Sequence, residues 1–247
     1  MRTAAILPVK SFARAKQRLG ASVADQLRLE LAHAMVADVL AALAQTPAIE
    51  RAIVVTRESS VAEAALADGA LVVEDAAEDG QSAAVALGVR RALAEGMQRV
   101  LCVPGDCPAL DPVELQWLLG GHWGHGGQAA RRERVLGGGG AVMGEAEVVI
   151  VPDRHGTGTN GLLLTPADAI AASFGPDSCE RHRALALAAG VACRTAQPPS
   201  LLLDIDTGAD LAVLRDRLAG THALASRTRA VLEEPDRANV LSPVSAA

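Results

Sequence analysis

The stretch Arg99-Val100-Leu101-Cys102-Val103-Pro104-Gly105-Asp106 decides the fold. Residues 100–103 are all apolar, as expected of a strand that is buried on both faces of a parallel sheet. Pro104 and Gly105 end the strand, and Asp106 follows at its carboxyl end. Ligands of open α/β sheets bind outside the carboxyl ends of the strands, which makes Asp106 a candidate metal carboxylate. The sequence therefore predicts a central strand with a site beyond its end.

Strand-like and helix-like segments alternate on both sides of this strand. Apolar runs predict further strands over residues 3–9, 51–56, 70–73, 147–151 and 162–165, and helices are predicted between the first of them. Such alternation is typical of βαβ units. It predicts an α/β fold with a three-layer, mostly parallel sheet in a single domain.

The composition limits the classes of function. The chain has 247 residues, of which 50% are hydrophobic and 2% aromatic, so we expect a globular core of small aliphatic side chains. A net charge of −6 argues against a nucleic-acid partner, which normally requires a basic face. No apolar run reaches the roughly 18 residues of a membrane span, and no signal-peptide pattern opens the chain. We expect a cytoplasmic protein without a membrane partner.

The four cysteines are not spaced for zinc. They are Cys102, Cys107, Cys179 and Cys193. Buried thiols are the favoured interpretation, and a catalytic thiol at Cys107 or Cys179 is the less favoured one.

A basic loop follows the first predicted strand. It contains Lys10, Lys16 and Arg18, and no other lysine occurs in the sequence. A lysine is a compact point charge that suits a polyphosphate, so we predict that these residues bind nucleotide phosphates. A solvated basic turn is the plainer alternative. Gly80 and Ser82 open a later helix, where they either hold a base or phosphate or only cap the helix.

Asp204 and Asp206 follow an apolar run near the end of the predicted domain. Two positions apart on a strand, their side chains would face the same way, as two metal ligands do. The same Asp-x-Asp-Thr pattern before a helix also suits capping.

Residues 151–182 combine glycines, small hydroxyl side chains and arginines between apolar runs, which suits a backbone that approaches an anion. Gly156, Gly158 and Gly161 match the spacing of the dinucleotide fingerprint. However, four residues separate them from the preceding strand and no helix follows directly, so we reject a dinucleotide site.

The second half of this stretch contains a predicted helix start at Ser178. We expect its hydroxyl and nearby free amides to bind an anionic group, with Arg181 and His182 adding charge from the next turn. Alternatively, Ser178 only caps the helix and Arg181 is a surface residue. Beyond the predicted domain, residues 1–218, the chain is expected to be a tail without periodic structure over residues 219–247. Within the domain, residues 120–146 are a Gly-rich insert that we do not expect to form a site.

Five motifs occur in order along the chain. They are Pro8-Val9-Lys10 with Ala15-Lys16-x-Arg18-Leu19, Pro104-Gly105-Asp106-x-Pro108-Ala109-Leu110, Asp153-Arg154-x-Gly156-Thr157-Gly158-Thr159-Asn160, Phe174-Gly175-Pro176-Asp177-Ser178-x-x-Arg181-His182 and Asp204-x-Asp206-Thr207. Together they resemble the guanylyltransferases of coenzyme F-420 biosynthesis, over about residues 4–218. The resemblance implies a nucleotide-diphospho-sugar transferase fold of the glycosyltransferase-A type, GTP as the donor and Mg²⁺ as the cofactor.

The resemblance also implies roles for individual residues. Asp106 and Asp204 would bind the metal with Asp206 assisting, and Lys10, Lys16 and Arg18 would hold the triphosphate. Thr159, Gly175 and Ser178 would contact a phosphorylated three-carbon acid. Asp106 and Lys16 are the candidate catalytic residues.

The expected reaction is attack by the phosphate of that acid on the α-phosphorus of GTP, with release of pyrophosphate. A phosphate monoester has its second pKa at about 6, so the nucleophile is ionised at neutral pH without a general base. Phosphoenolpyruvate is the first choice of acid, and 2-phospho-L-lactate and 3-phosphoglycerate stay open. A molybdopterin or sugar-phosphate nucleotidyltransferase and a non-catalytic nucleotide-binding regulator are the alternative functions. A homodimer is also left open.

Overall fold

The computed structural model describes residues 1–12, 25–121, 146–220 and 223–233. Lys16, Arg18, nearly all of the Gly-rich insert and the end of the chain lie outside the described residues. No helix in the described part of the chain is both long and apolar enough to cross a membrane.

One seven-stranded sheet forms the centre of the molecule. Its strands, in chain order, are β1 (Thr3–Val9), β2 (Arg51–Thr56), β3 (Leu71–Glu74), β4 (Arg99–Cys102), β5 (Glu147–Pro152), β6 (Thr159–Thr165) and β7 (Ala192–Thr195). The order across the sheet is β3-β2-β1-β4-β6-β5-β7. The first four strands run parallel, whereas β6 is antiparallel to both β4 and β5. The predicted central position of β4 and the mostly parallel sheet are confirmed.

Helices cover both faces of the sheet. They are α1 (Asp25–Ala44), α2 (Ser59–Ala67), α3 (Gln81–Ala94), α4 (Pro112–Leu119), α5 (Ser178–Ala188), α6 (Gly208–Ala219) and α7 (Ser226–Glu233). Strand side chains alternate between the two faces. On β1, Leu7 packs in the same core cluster as Val36 and Val39 of α1, whereas Ile6 packs in the opposite cluster with Val85 of α3. This alternation produces the three layers that the sequence predicts.

The approach of α3 to the sheet requires a glycine. A Cβ atom at Gly88 would lie 2.5 Å from Cγ2 of Ile6 and 3.2 Å from Cγ2 of Val55. Real Cβ atoms are excluded from such distances by van der Waals repulsion, so any side chain here would push α3 off β1 and β2. The position of the α3 N-terminus, which the site uses, depends on this contact.

Three details differ from the sequence predictions. Strand β6 begins at Thr159, three residues before the predicted start, because Thr159 still pairs with Pro152 of β5 across a bulge at Asn160. The segment after Pro166 forms turns instead of the predicted helix. Residues 203–206 are an irregular loop and not a strand, so the expected alternation of Asp204 and Asp206 along a strand is wrong.

The expected tail also contains a helix. Helix α7 packs on α1, and Leu232 joins Leu27, Leu31 and Met35 in a buried apolar cluster. The Asp38 carboxylate of α1 accepts hydrogen bonds from the first amides of α7, at 3.1 Å from Arg227 N and 2.7 Å from Thr228 N. A side chain from another helix therefore supplies the cap that the α7 sequence lacks.

We predict that Asp38→Ala lowers the free energy of unfolding by about 1–3 kcal/mol, because it leaves two amides at a helix start without an acceptor. Urea denaturation followed by circular dichroism measures the change. Asp216→Ala, at an exposed position of α6, is the matched control and should have little effect. Equal midpoints for the two variants would contradict the capping role.

Candidate functional site

A pocket of about 300 Å³ opens at the carboxyl ends of the parallel strands. Its lining comes from the end of β1, helix α1, the β3–α3 loop, the start of α3 and the β4–α4 loop. Four residues predicted from the sequence line it, namely Lys10, Gly80, Asp106 and Asp206. Asp75, to which the sequence analysis gave no role, lines it as well.

Two loops meet beside this pocket and bring the predicted carboxylates together. The amide of Ile205 donates a hydrogen bond of 3.0 Å to the carbonyl oxygen of Asp106, which fixes the 203–206 loop against the end of β4. Burial raises the pKa of Asp204, and the nearby negative charge of Asp106 raises it further. Asp206 adds to the same effect. The three aspartates thus share one electrostatic environment although Asp106 is distant in sequence from the other two.

Asn160 holds Asp204 in place. Its Nδ2 donates to Asp204 Oδ1 at 3.2 Å and to the carbonyl oxygen of Leu201 at 2.9 Å. Because Asn160 lies on β6, the regular sheet positions the irregular loop. Asn160 belongs to one of the five motifs, but no role was predicted for it, since nothing in the local sequence indicates a contact with Asp204.

Asp210 holds the other end of the loop. Its Oδ2 accepts hydrogen bonds from the amides of Asp206 at 3.1 Å and Thr207 at 2.7 Å, and Thr207 in turn caps α6. Arg154 forms an ion pair with Oδ1 of the same carboxylate. Burial alone would raise the pKa of Asp210, but the bonds from Thr207 and Asp206 and the charge of Arg154 outweigh it and lower the pKa. Arg154 therefore connects the β5–β6 turn to the carboxylate loop.

These carboxylates fit a hard divalent cation. Within the described ranges, no three His, Cys, Asp or Glu side chains are close enough to hold a metal ion by themselves. Mg²⁺ does not require such a cage, because it usually binds through one or two carboxylates together with water and substrate phosphates. Burial and then the charge of Asp106 raise the pKa of Asp204, and a cation held by these residues would offset that charge.

Two acidic side chains accept hydrogen bonds from backbone amides at the start of the basic loop. The amide of Ser11 donates to Glu78 Oε1 at 2.9 Å, and the amide of Phe12 donates to Glu58 Oε2 at 3.1 Å. Lys10 is exposed and lines the pocket just before these amides. Its predicted contact with phosphates agrees with this position, while those of Lys16 and Arg18 concern residues outside the described ranges.

The start of α3 connects the pocket to the second half of the predicted site. Gly80 caps α3 with a φ of +101°, which side chains rarely tolerate. Ser82 Oγ accepts a hydrogen bond of 2.8 Å from the amide of Phe174. Ser82 is not among the residues that line the pocket, so its binding of nucleotide stays a prediction.

Thr159, Gly175 and Ser178 lie together, as the resemblance implies. Ser178 Oγ donates to Thr159 Oγ1 at 3.0 Å, and the amide of Ser178 donates to the carbonyl oxygen of Gly175 at 3.1 Å. The amide of Cys179 donates to Thr157 in the same way, at 3.1 Å. The expectation of free amides at this helix start is therefore wrong for these two positions. The cap of α5 is Asp177, and Ser178 is the first residue of the helix.

His182 is fully buried beneath these hydroxyls. The amide of Ser173 donates to its Nε2 at 2.9 Å, so the ring proton lies on Nδ1, which is 3.1 Å from Thr159 Oγ1. Burial, and secondarily the charge of Arg181, lowers the pKa of His182 to about 4. The ring is neutral at physiological pH, and the positive charge expected from it is absent.

Arg181 wraps the loop that precedes α5. Its guanidinium donates to the carbonyl oxygens of Ser173 at 2.9 Å and Phe174 at 3.0 Å, to Ser173 Oγ at 2.9 Å and to the carbonyl oxygen of Pro176. These bonds use the donors that the sequence analysis assigned to an anion. In this structure Arg181 shapes the Gly175 loop.

The pKa values of the Cys102 and Cys179 thiols are shifted away from activation, and Cys193, also expected to be buried, is only half-buried. Cys102, Cys107 and Cys179 are buried, as predicted. Burial raises the pKa of Cys102 to about 12 and also raises the pKa of Cys179. The thiol of Cys179 donates to the carbonyl oxygen of Gly158 at 2.7 Å. A nucleophilic cysteine requires the opposite shift, toward the thiolate.

We predict that His182 makes the protein sensitive to acid. The unfolded chain binds a proton at this ring below pH 6.5 whereas the folded protein binds it only below about 4, so stability falls as the pH is lowered between these values, by up to about 3 kcal/mol. Urea denaturation at several pH values should show a shallower slope for His182→Gln than for the wild type. His155→Gln, at an exposed ring, should leave the slope unchanged. Parallel pH profiles for wild type and His182→Gln would refute this assignment.

Comparisons with known proteins agree with this geometry. The family model described as "Guanylyl transferase CofC like" matches residues 3–122. A phosphoenolpyruvate guanylyltransferase from Conexibacter woesei is 44% identical over 97% of this chain and 99% of its own length. The protein of the same name from Rubrobacter xylanophilus is 35% identical over 85% of this chain and 92% of its own.

Solved structures show the same fold. A protein from Desulfovibrio desulfuricans described as a nucleotide-diphospho-sugar transferase superposes with a TM-score of 0.67 at 16% identity, covering 98% of this chain and 97% of that one. A Methanothermobacter nucleotidyl transferase gives a TM-score of 0.61 at 23% identity, covering 90% of this chain and 99% of that one. The predicted fold is thereby confirmed. With relatives this similar over nearly its whole length, the chain belongs to the family of guanylyltransferases that includes the phosphoenolpyruvate guanylyltransferases.

Proposed function

We propose that the protein transfers GMP from GTP to the phosphate of phosphoenolpyruvate in coenzyme F-420 biosynthesis, with release of pyrophosphate and with Mg²⁺ as cofactor. The observation that carries the proposal is the meeting of Asp106 with Asp204 and Asp206 beside a pocket of about 300 Å³. The names of the relatives support the choice of nucleotide and acid.

Different residues would bind the two anionic substrates, GTP and the phosphorylated acid. Asp106 and Asp204 would hold the metal, whose chemistry is to neutralise charge on the reacting phosphates, and Asp206 would assist. Lys10, at the pocket wall, would face the triphosphate, together with Lys16 and Arg18 of the same loop. Asp210 and Asn160 position the carboxylate loop. Since the attacking phosphate is already ionised at neutral pH, the neutral, buried state of His182 is compatible with the reaction.

The acid would bind at the cluster of Thr159, Gly175 and Ser178. We infer that this cluster lies close to the carboxylates that would hold the metal, because Thr159, which contacts Ser178, directly precedes Asn160, which contacts Asp204. Since the hydroxyls of Ser178 and Thr159 are hydrogen-bonded to each other, the acid would have to replace part of this network. A cytoplasmic location and a homodimer stay predictions.

Pyrophosphate release tests the function directly. The wild type is incubated with each nucleoside triphosphate, Mg²⁺ and one acid among phosphoenolpyruvate, 2-phospho-L-lactate and 3-phosphoglycerate. We expect release with GTP and phosphoenolpyruvate, and loss of release after Mg²⁺ is chelated. No release with GTP and any of the three acids would refute the proposal, and release with a sugar phosphate or a molybdopterin instead would favour the alternative transferases.

Asp106→Asn should reduce turnover by at least about 100-fold, because it removes a charge that holds the metal at the reacting phosphates. The steady-state rate of pyrophosphate release with saturating substrates measures the loss. Asp216→Asn, at an exposed position on α6, is the control and should retain the wild-type rate. If the Asp106→Asn variant turned over at a rate close to that of the wild type, Asp106 would not be a residue that holds the metal.

Ser178→Ala should raise the KM for the acid roughly 3- to 10-fold while the KM for GTP stays unchanged, since only a hydroxyl beside the acid is lost. Initial rates at varied concentrations of each substrate separate the two constants. Ser59→Ala, at an exposed position on α2, should alter neither. A change confined to the KM for GTP would mean that Ser178 contacts GTP and not the acid, which would contradict the prediction.

A further inference from the structure

Asp75 is a buried acidic residue in the pocket wall. It follows β3 directly, and its amide donates to the carbonyl oxygen of Thr56 at 3.1 Å, which holds the residue beside the end of β2. Its exposure is only 5%, yet it lines the pocket together with Gly80 and Gln81 at the start of α3. The carboxylate therefore faces a ligand space and not bulk solvent.

This carboxylate is only partly satisfied. Oδ1 accepts a hydrogen bond of 3.2 Å from the amide of Glu78, which closes the turn after β3. From the described residues, no donor reaches Oδ2 and no cation forms an ion pair with Asp75. Because Asp75 lines the pocket, a ligand with N–H groups can donate to this second carboxylate oxygen.

Asp75 lies at the opposite end of the pocket from the metal carboxylates. Strands β3 and β4 are three places apart in the sheet, so the residues that follow them are separated by roughly 14 Å at the usual strand spacing. This distance is comparable with the length of a nucleotide from its α-phosphate to the far edge of its base. With the phosphates near Asp106 and Lys10, the base reaches the wall formed by Asp75 and the start of α3.

We propose that Asp75 determines the base specificity, by accepting hydrogen bonds from N1–H and from the exocyclic amino group of guanine. The inference rests on the proposed use of GTP. Guanine alone among the common bases offers two adjacent donors on this edge. Adenine and cytosine place a ring nitrogen acceptor next to their amino group, and uracil flanks its single N–H with two carbonyl oxygens, so each would face the carboxylate with a lone pair. The plainer alternative is that Asp75 only closes the turn with Glu78.

The variant Asp75→Asn separates these two roles. An asparagine oxygen can still accept from the amide of Glu78, so the turn is preserved, but its NH₂ group meets the amino group of guanine donor to donor. Xanthine carries a carbonyl oxygen at this position and can accept from the same NH₂ group. The substitution should therefore change the preferred base of the nucleotide from guanine to xanthine.

The experiment measures kcat/KM for GTP, inosine triphosphate and xanthosine triphosphate with phosphoenolpyruvate. For Asp75→Asn we expect a loss with GTP on the order of 10- to 100-fold and a gain with xanthosine triphosphate, so that the preference between them reverses. The wild type should use inosine triphosphate about tenfold less well than GTP, because inosine lacks the amino group. Asp79→Asn, an exposed residue of the same loop, should behave like the wild type.

The outcomes are distinct from those of the proposed function. A wild type that uses no triphosphate refutes the function itself. A wild type that uses GTP, with an Asp75→Asn variant that still prefers GTP to xanthosine triphosphate, overturns the inference and leaves Asp75 as a turn residue. If the variant does not fold, the wild-type ratio decides, and equal use of inosine triphosphate and GTP overturns the inference.

Discussion

The hydrogen bond between the amide of Ile205 and the carbonyl oxygen of Asp106 joins two loops that would otherwise repel each other. Each loop carries carboxylates, and the pKa of Asp204 is raised by burial and then by the charge of Asp106. Uncharged groups maintain this unfavourable arrangement, namely the backbone hydrogen bond of Ile205 and the side chain of Asn160.

Strand β6 connects the two halves of the site, which are the Ser178–His182 cluster and the carboxylate loop of residues 203–206. Its first two residues, Thr159 and Asn160, contact different parts of the site. One contacts the Ser178–His182 cluster and the other contacts Asp204. Strand β6 is paired with β4 on one side and β5 on the other, so the sheet sets the distance between the Ser178–His182 cluster and Asp204. A ligand that moved either group would have to move this strand.

Much of this arrangement follows from the order of residues along the chain. Asp106 was predicted from its place after an apolar run, and the same rule applied to residues 70–73 would have identified Asp75. In contrast, the cap that Asp38 provides to α7 and the ion pair of Arg154 with Asp210 join residues that are distant in sequence, and no local pattern indicates which partner each residue has. Ser178 misled the prediction because a serine at a helix start usually caps, whereas here its hydroxyl serves Thr159.

Helix α7 changes where the domain can be shortened. Truncation at residue 218, the boundary drawn from periodicity, would remove Leu232 from the cluster around Leu31 and Met35 and expose an apolar strip on α1. It would also leave the Asp38 carboxylate facing that strip without its two amide donors. A shortened chain would thus carry a surface that invites self-association, and the smallest unit that keeps the strip covered extends to residue 233.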